Sequence, residues 1–142
     1  MALEPASVRI GDPLPDLRKE PITREHLRRY AEASGDHNPI HLDDDFAKSA
    51  GYPSVFAHGM LSMGYLGEFL IQAGGAPEAI RTFRARFAKL TWPGDQLTCR
   101  GTVTNVRDDG GVRLVDCEIW TETQHGERKV TGTATLVLPL GR

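Results

Sequence analysis

An aspartate and a histidine stand five positions apart in Ala33-Ser34-Gly35-Asp36-His37-Asn38-Pro39-Ile40-His41, a stretch whose residue types dictate a stiff bend. Gly35 can take backbone angles closed to other residues, Asn38-Pro39 is a strong turn signal, and Pro39 fixes its own torsion while pushing Asn38 towards extended geometry. A turn of this kind aims Asp36 and His41 at one point. A carboxylate facing an imidazole is an acid/base pair, and a well-placed pair contributes about 100 to 10,000-fold to a proton-transfer step. A second landmark, His58-Gly59, opens a long apolar segment. Backbone N–H groups are unpaired at a helix start and favour negative charge, and a glycine there admits a ligand where a Cβ would block it. Taken singly, Asp36 reads better as a turn or helix cap and His41 as an exposed loop histidine. Their combination with the glycine, the Asn-Pro and the His-Gly reads as a site. His58 has two open readings, pocket lining or a structural histidine bonded to backbone at the helix start. His37 and His41 have a helical ligand spacing, yet Pro39 lies between them and no third ligand is evident, so no metal is expected.

The elements that must hold these residues follow from local patterns. The leader through Pro13, Pro15 and Pro21 is expected to run as extended chain or loop over the surface. Thr23 is a plausible N-cap, and Ile22 can pack on Leu27 as a hydrophobic staple. Leu27, Tyr30 and Ala31 then share one face of an amphipathic helix that ends near Ser34-Gly35. A short helix is expected from Asp43 or Asp44 to Ala50, with Gly51 after it and the Asp43-Asp44-Asp45 run at its start, where negative charge is favoured. From Gly59 through Ala73 the only formal charge is Glu68, so this third helix is expected to be buried on all sides, with Met60, Met63 and Phe69 in the core. Gly64 and Gly67 each cost about 1 kcal/mol relative to alanine, which suggests close approach to a neighbouring backbone.

The C-terminal half reads as strands over 80–90, 96–106, 112–123 and 128–138, separated by Pro93-Gly94-Asp95, Asp108-Asp109-Gly110-Gly111 and His125-Gly126. Phe83, Ala85 and Phe87 alternate with Arg84 and Arg86, and Val115, Cys117 and Ile119 with Asp116 and Glu118. Val130, Ala134, Leu136 and Leu138 alternate with Lys129, Thr131, Thr133 and Thr135, so each strand has a buried and a polar face. The phase slips at Ala88-Lys89-Leu90, the mark of a bulge. The expected architecture is α+β, a curved antiparallel sheet wrapped around the apolar helix.

Composition bounds the partners. The 142 residues, 39% hydrophobic and 25% charged with net charge −2, suit one ordinary domain over 1–142 and give no basic footprint for nucleic acid. No leader or membrane-spanning run is evident, so a cytoplasmic protein is expected. Cys99 and Cys117 fall within strands and are expected to be buried free thiols. Arg81, Arg84, Arg86 and Arg100 read as solvated strand faces.

Tyr30, Ser34-Gly35-Asp36-His37-Asn38-Pro39-Ile40-His41, Ala47, Phe56-Ala57-His58-Gly59-Met60, Arg86-Phe87 and Trp92-Pro93-Gly94-Asp95 together resemble the MaoC-like, (R)-specific enoyl thioester hydratase/dehydratase family of hot-dog-fold proteins. The resemblance covers essentially the whole chain and departs at Leu90, where the family usually carries proline. It implies a single hot-dog fold and reversible hydration of trans-2-enoyl thioesters to (R)-3-hydroxyacyl thioesters. Asp36 and His41 would hold the water, Asn38 would support the turn, and the Gly59 N–H would bind the thioester carbonyl. His58, Met60 and Ser62 would line or support the site. Family members often orient the aspartate with a serine two turns along the helix, where this chain has Gly67; Ser62 lies one turn earlier.

The chemistry suits these residue types. Water adds to Cβ as a base removes its proton, an acid protonates Cα, and the thioester oxygen carries enolate charge that an amide can stabilise by about 3 to 4 kcal/mol. No cofactor is required. The implied substrates are thioesters of coenzyme A or acyl carrier protein. An exposed sheet edge points to a homodimer or a heterodimer with a related subunit. The competing readings are a non-catalytic acyl-thioester-binding subunit and a hot-dog thioesterase.

Overall fold

The alternating C-terminal half forms one antiparallel sheet, and the apolar segment forms a helix across one face of it. The computed structural model describes residues 2–141. In chain order these contain β1 (Leu17–Arg18), α1 (Arg24–Ser34), α2 (Asp44–Ser49), α3 (Gly59–Gly74), β2 (Ile80–Phe87), β3 (Thr98–Asp109), β4 (Val112–Glu122) and β5 (Arg128–Pro139). Single 3-10 turns occupy Pro39–His41 and Pro77–Ala79. The sheet order is β1-β3-β4-β5-β2, which leaves β2 at an edge. Gly110 and Gly111, both at positive φ, close the β3–β4 hairpin with the backbone hand that matches strand twist.

The core lies between α3 and the sheet. Leu66, Phe69, Leu70 and Ala73 pack on Cys99, Val103, Val115, Cys117, Ile119, Ala134 and Leu136. Each large apolar side chain so buried contributes about 1.5 to 3 kcal/mol. Burial also pushes both cysteine thiols up to about 12, and both are free. A second cluster, Ile22, Leu27, Ala47, Val55, Ala57 and Leu97, seats α1 and α2 on the chain leading into α3. The leader contributes as well: Val8 and Leu14 are buried, so it is a covering strap more than a surface loop. The bulge foreseen after β2 is present, since the amides of Ala88 and Lys89 both donate to the Lys129 carbonyl at 3.0 Å.

Four expectations are corrected. α3 is buried on one side only, because a single sheet covers a single face; Met60 is 56% exposed and Ile71 38%. Phe87, assigned by alternation to the inner face, is 50% exposed at the end of the edge strand. Lys129, assigned to the solvated face, is buried and pairs with Glu127 at 2.6 Å and Asp95 at 3.8 Å, tying β5 to the turn before β3. Those lysine contacts, with Lys89, hold the Glu127 carboxyl down at about 2. Finally, the close backbone approaches fall outside α3. A Cβ on Gly64 meets nothing within 4 Å and one on Gly67 meets only the Phe83 ring at 3.8 Å, whereas one on Gly132 lies 2.0 Å from the Arg84 carbonyl oxygen.

Two glycine substitutions therefore have opposite expected effects. Gly132→Ala forces β2 off β5 and costs on the order of 2 to 3 kcal/mol. Gly64→Ala relieves helix entropy and gains about 0.4 to 1 kcal/mol. Denaturant midpoints check both, and a neutral Gly132→Ala would contradict the β2–β5 register.

Candidate active site

The turn bearing Asp36 and His41 is built by local capping. Thr23 accepts from the His26 amide while the His26 ring accepts from the Thr23 amide, so α1 starts at a defined residue. It ends at Gly35, whose φ of 78° takes the left-handed cap position and turns the chain sharply. Beyond it the Asn38 amide donates to Asp36 Oδ1 at 3.2 Å, the Ile40 amide to Asn38 Oδ1 at 3.1 Å, and the His41 amide to the Asn38 carbonyl at 3.0 Å. Asn38 thus caps the turn that presents His41. Asp43 caps α2 by accepting from the Asp45 and Phe46 amides. Asp44 Oδ1 accepts from Arg24 and from the Val55 amide, which joins α1, α2 and the approach to α3.

Two imidazole-to-carbonyl hydrogen bonds run in opposite directions between this turn and the start of α3. His41 Nδ1 donates to the Phe56 carbonyl at 2.7 Å, and His58 Nε2 donates to the Asp36 carbonyl at 3.1 Å. The two rings stack with centroids 4.0 Å apart, and Tyr30 tilts against His58 at 4.8 Å. Because Nδ1 of His41 is the donor, its Nε2 is free for a ligand. The side-chain ligand atoms of Asp36, His41 and His58 fall within 4.8 Å of one another. A separation of that order is bridged by one water at ordinary hydrogen-bond lengths of about 2.7 to 3.0 Å. His58 is 1% exposed, its Nδ1 is buried without a hydrogen-bond partner among the described residues, and burial lowers its pKa despite the Asp36 carbonyl. His58 is thus bonded to the backbone of the turn from the start of α3. With Nε2 spent on a carbonyl, a metal at this cluster would have to use its Nδ1. His37 is not part of the cluster.

Beside the pair, α3 begins at Gly59 with no side-chain cap. Among the described residues no acceptor is recorded for the Gly59 and Met60 amides, so two donors of a sixteen-residue helix are open. A cavity of 210 Å³ adjoins them, lined by Phe56, Ala57, Gly59, Ser62, Phe87, Lys89, Leu90, Thr91 and Val130. His41 also borders a cleft of 420 Å³ that contains Arg24 and Arg28. Of the site residues expected from sequence, Asp36, His41 and His58 are brought together, Asn38 caps the turn that carries His41, and Gly59 follows His58 as the first residue of α3. Ser62 is buried in the cavity wall, and Met60 points outward and does not line it. No hydrogen bond joins Ser62 to Asp36 among the described residues; the aspartate's contact is the Asn38 amide. Sequence reasoning missed Phe56, whose carbonyl fixes His41, and Phe87. Both stand in segments that carry the family resemblance, Phe56-Ala57-His58-Gly59-Met60 and Arg86-Phe87, but no local pattern there tells which contact either residue makes.

Residues 6–131 match the family described as MaoC like domain. A UPF0336 protein of Thermobifida fusca is 32% identical over 125 residues, covering 82% of each chain. An (R)-specific enoyl-CoA hydratase of Aeromonas caviae is 32% identical over 111 residues, covering 78% of this chain and 81% of its own. A 3-hydroxyacyl-thioester dehydratase Y of Mycobacterium tuberculosis is 37% identical over 97 residues, 66% of this chain, which spans 33% of that relative's length. Among solved structures, the A. caviae (R)-hydratase involved in PHA biosynthesis superposes with a TM-score of 0.80 at 28% identity, covering 94% of this chain and 98% of that one. The α+β architecture is thus the hot-dog fold. Among the described residues no helix is long and apolar enough to cross a membrane.

The lowered pKa of His58 sets a sign for acid stability. Above the unfolded value of 6.5 both states are neutral. As pH falls below it the unfolded chain takes up a proton that the folded one resists, so stability drops until the folded pKa is passed. Denaturant midpoints between pH 7 and pH 5 should fall less steeply in His58→Asn than in the parent protein. A His58 ring resonance titrating at or above 6.5 would contradict the buried, neutral assignment.

Proposed function

Because this chain belongs to the MaoC-like dehydratase family, we propose that it is an (R)-specific enoyl thioester hydratase, or the same enzyme run as a 3-hydroxyacyl thioester dehydratase. One observation carries the reading: the ligand atoms of Asp36 and His41 lie within 4.8 Å of each other and of His58, the residue that precedes Gly59 at the uncapped start of α3. In hydration the water oxygen bonds to Cβ, one member of the pair takes the water proton, and the other delivers a proton to Cα. The pair therefore holds one transferable proton between its two members, and the base of one turnover must pass it back before the next. His41 Nε2 is the free nitrogen for this exchange, because Nδ1 is committed to Phe56. Charge displaced onto the thioester oxygen meets the Gly59 N–H, reinforced by about half a positive charge at the helix start. The reaction uses no cofactor. Its substrates are thioesters of coenzyme A or of acyl carrier protein.

The unpaired edge of β2 and the exposed side of α3, with Met60 and Ile71, support pairing with a second hot-dog chain, identical or related. Sedimentation should then give more than one copy of the 15.6 kDa chain, or a monomer that needs a related subunit.

Crotonyl-CoA and longer trans-2-enoyl-CoAs should be hydrated, followed by loss of the conjugated thioester absorbance. Asp36→Asn and His41→Ala should each lower kcat/KM by about 100 to 10,000-fold. Because one proton is shared, activity should fall on both sides of an optimum pH. Full activity in both variants would sink these roles, and release of free thiol in place of hydration would mark a thioesterase.

A further inference from the structure

Tyr30 is a half-buried residue of α1 that belongs to neither apolar cluster, and among the described residues the one ring it meets is His58, at 4.8 Å and a tilt of 58°. His58 in turn stacks on His41 at 4.0 Å with the planes 28° apart, and the Phe56 ring stands edge-on to His41 at 5.0 Å. Among the described residues Tyr30 makes no ring contact with His41, so it reaches the acid/base turn through His58. His58 needs such a cover. Its Nε2 donates to the Asp36 carbonyl, which leaves Nδ1 as a bare lone pair, buried and without a donor among the described residues. A nitrogen in that state gains a hydrogen bond from the first water that reaches it, so the ring stays dry only where its neighbours keep water out.

We propose that Tyr30 is a positioning residue: its ring covers His58, and the covered His58 holds the His41 imidazole in the orientation that leaves Nε2 free for the reaction. This rests on the hydratase reading above and adds to it a residue outside the reacting groups. Orientation matters because a displacement of about 1 Å can cost about 100-fold in rate. The groups facing His58 are Asp36 and His41 of the turn and Tyr30 of α1, and α3 brings no charge before Glu68, which pairs with Lys19. Desolvation is the main influence that lowers the His58 pKa, and His41 adds to it. Removing the Tyr30 ring therefore admits water, lets His58 take up a proton at higher pH, and sets that charge against the ring of His41.

The test compares the parent protein with Tyr30→Phe, which keeps the ring, Tyr30→Leu, which keeps apolar bulk, and Tyr30→Ala. In NMR titrations of the imidazole nitrogens, the His58 signals of Tyr30→Ala should titrate at higher pH than in the parent protein and the His41 signals should shift, whereas Tyr30→Phe should reproduce the parent spectra. With crotonyl-CoA, Tyr30→Ala should lower kcat by about 10 to 100-fold with KM changed by less than about threefold, and its acid limb should move to higher pH. Tyr30→Phe should retain the parent rate, and Tyr30→Leu should fall between the two. Parent-like kcat, or unmoved histidine signals, in both Tyr30→Leu and Tyr30→Ala would overturn the proposal, as would a Tyr30→Phe variant as slow as Tyr30→Ala. Shifted signals in a protein that hydrates no enoyl thioester would uphold the hold of Tyr30 on the histidine pair and sink the hydratase reading alone. Leu27 and Ala31, the buried anchors of α1, are untouched by these changes, and Tyr30→Leu carries the test should Tyr30→Ala fail to fold.

Discussion

Two hydrogen bonds of opposite sense between imidazoles and carbonyls fix the arrangement around which the rest is built. His41 reaches from the turn to Phe56, and His58 reaches from the start of α3 back to Asp36. Each is worth only about 1 kcal/mol net, but a buried donor left without its acceptor costs about 1 to 3 kcal/mol, so the two segments separate only at a cost to both. The stacked rings add shape to this link, since a turn displaced along α3 would unstack them. In consequence the turn with Asp36 and His41 and the open helix amides, which belong to different parts of the chain, share one rigid frame.

That frame needs supports on both sides. On the turn side, the capped α1 and α2 and the cluster around Leu27, Ala47 and Val55 prevent the polar bend from collapsing onto the core. On the helix side, α3 is anchored through Leu66, Phe69 and Leu70 to the sheet. Its lone formal charge, Glu68, pairs with Lys19 at 2.8 Å, and Lys19 also lies over the Tyr65 ring. Both contacts join the leader to the middle of the helix. The start of α3 is held by packing further along it, so its first amides can stay open without fraying.

Local chemistry in the sequence was enough to find the turn, its caps, the four long strands and the buried thiols, because each depends on neighbours within a few residues. The strands over 80–87, 98–109, 112–122 and 128–139 differ from expectation mainly at their ends. What escaped depends on distant partners. The contacts His41–Phe56 and His58–Asp36 join residues 15 and 22 positions apart, and no periodicity encodes them. Alternation placed Phe87 inside and Lys129 outside, yet Phe87 forms the last pair of an edge strand, where little of the sheet is left to cover it, and a lysine flanked by Glu127 and Asp95 can be covered. The apolar character of α3 correctly announced a helix but overstated its burial, since hydrophobicity reports what a face can bury and not how many neighbours a chain supplies.

These differences divide the site into two parts of unequal stiffness. Asp36, His41 and Gly59 are set by caps, reciprocal hydrogen bonds and a packed helix, all of which resist displacement. The cavity rim is set by Phe87 and Leu90, side chains on a strand end and a bulged loop with no hydrogen bond to the turn among the described residues. Acid/base chemistry demands positions held to a fraction of an ångström, whereas enclosing a hydrocarbon demands only volume and the exclusion of water. Stiffness is thus concentrated around Asp36, His41 and the start of α3, the positions at which the proposed proton transfer would require it.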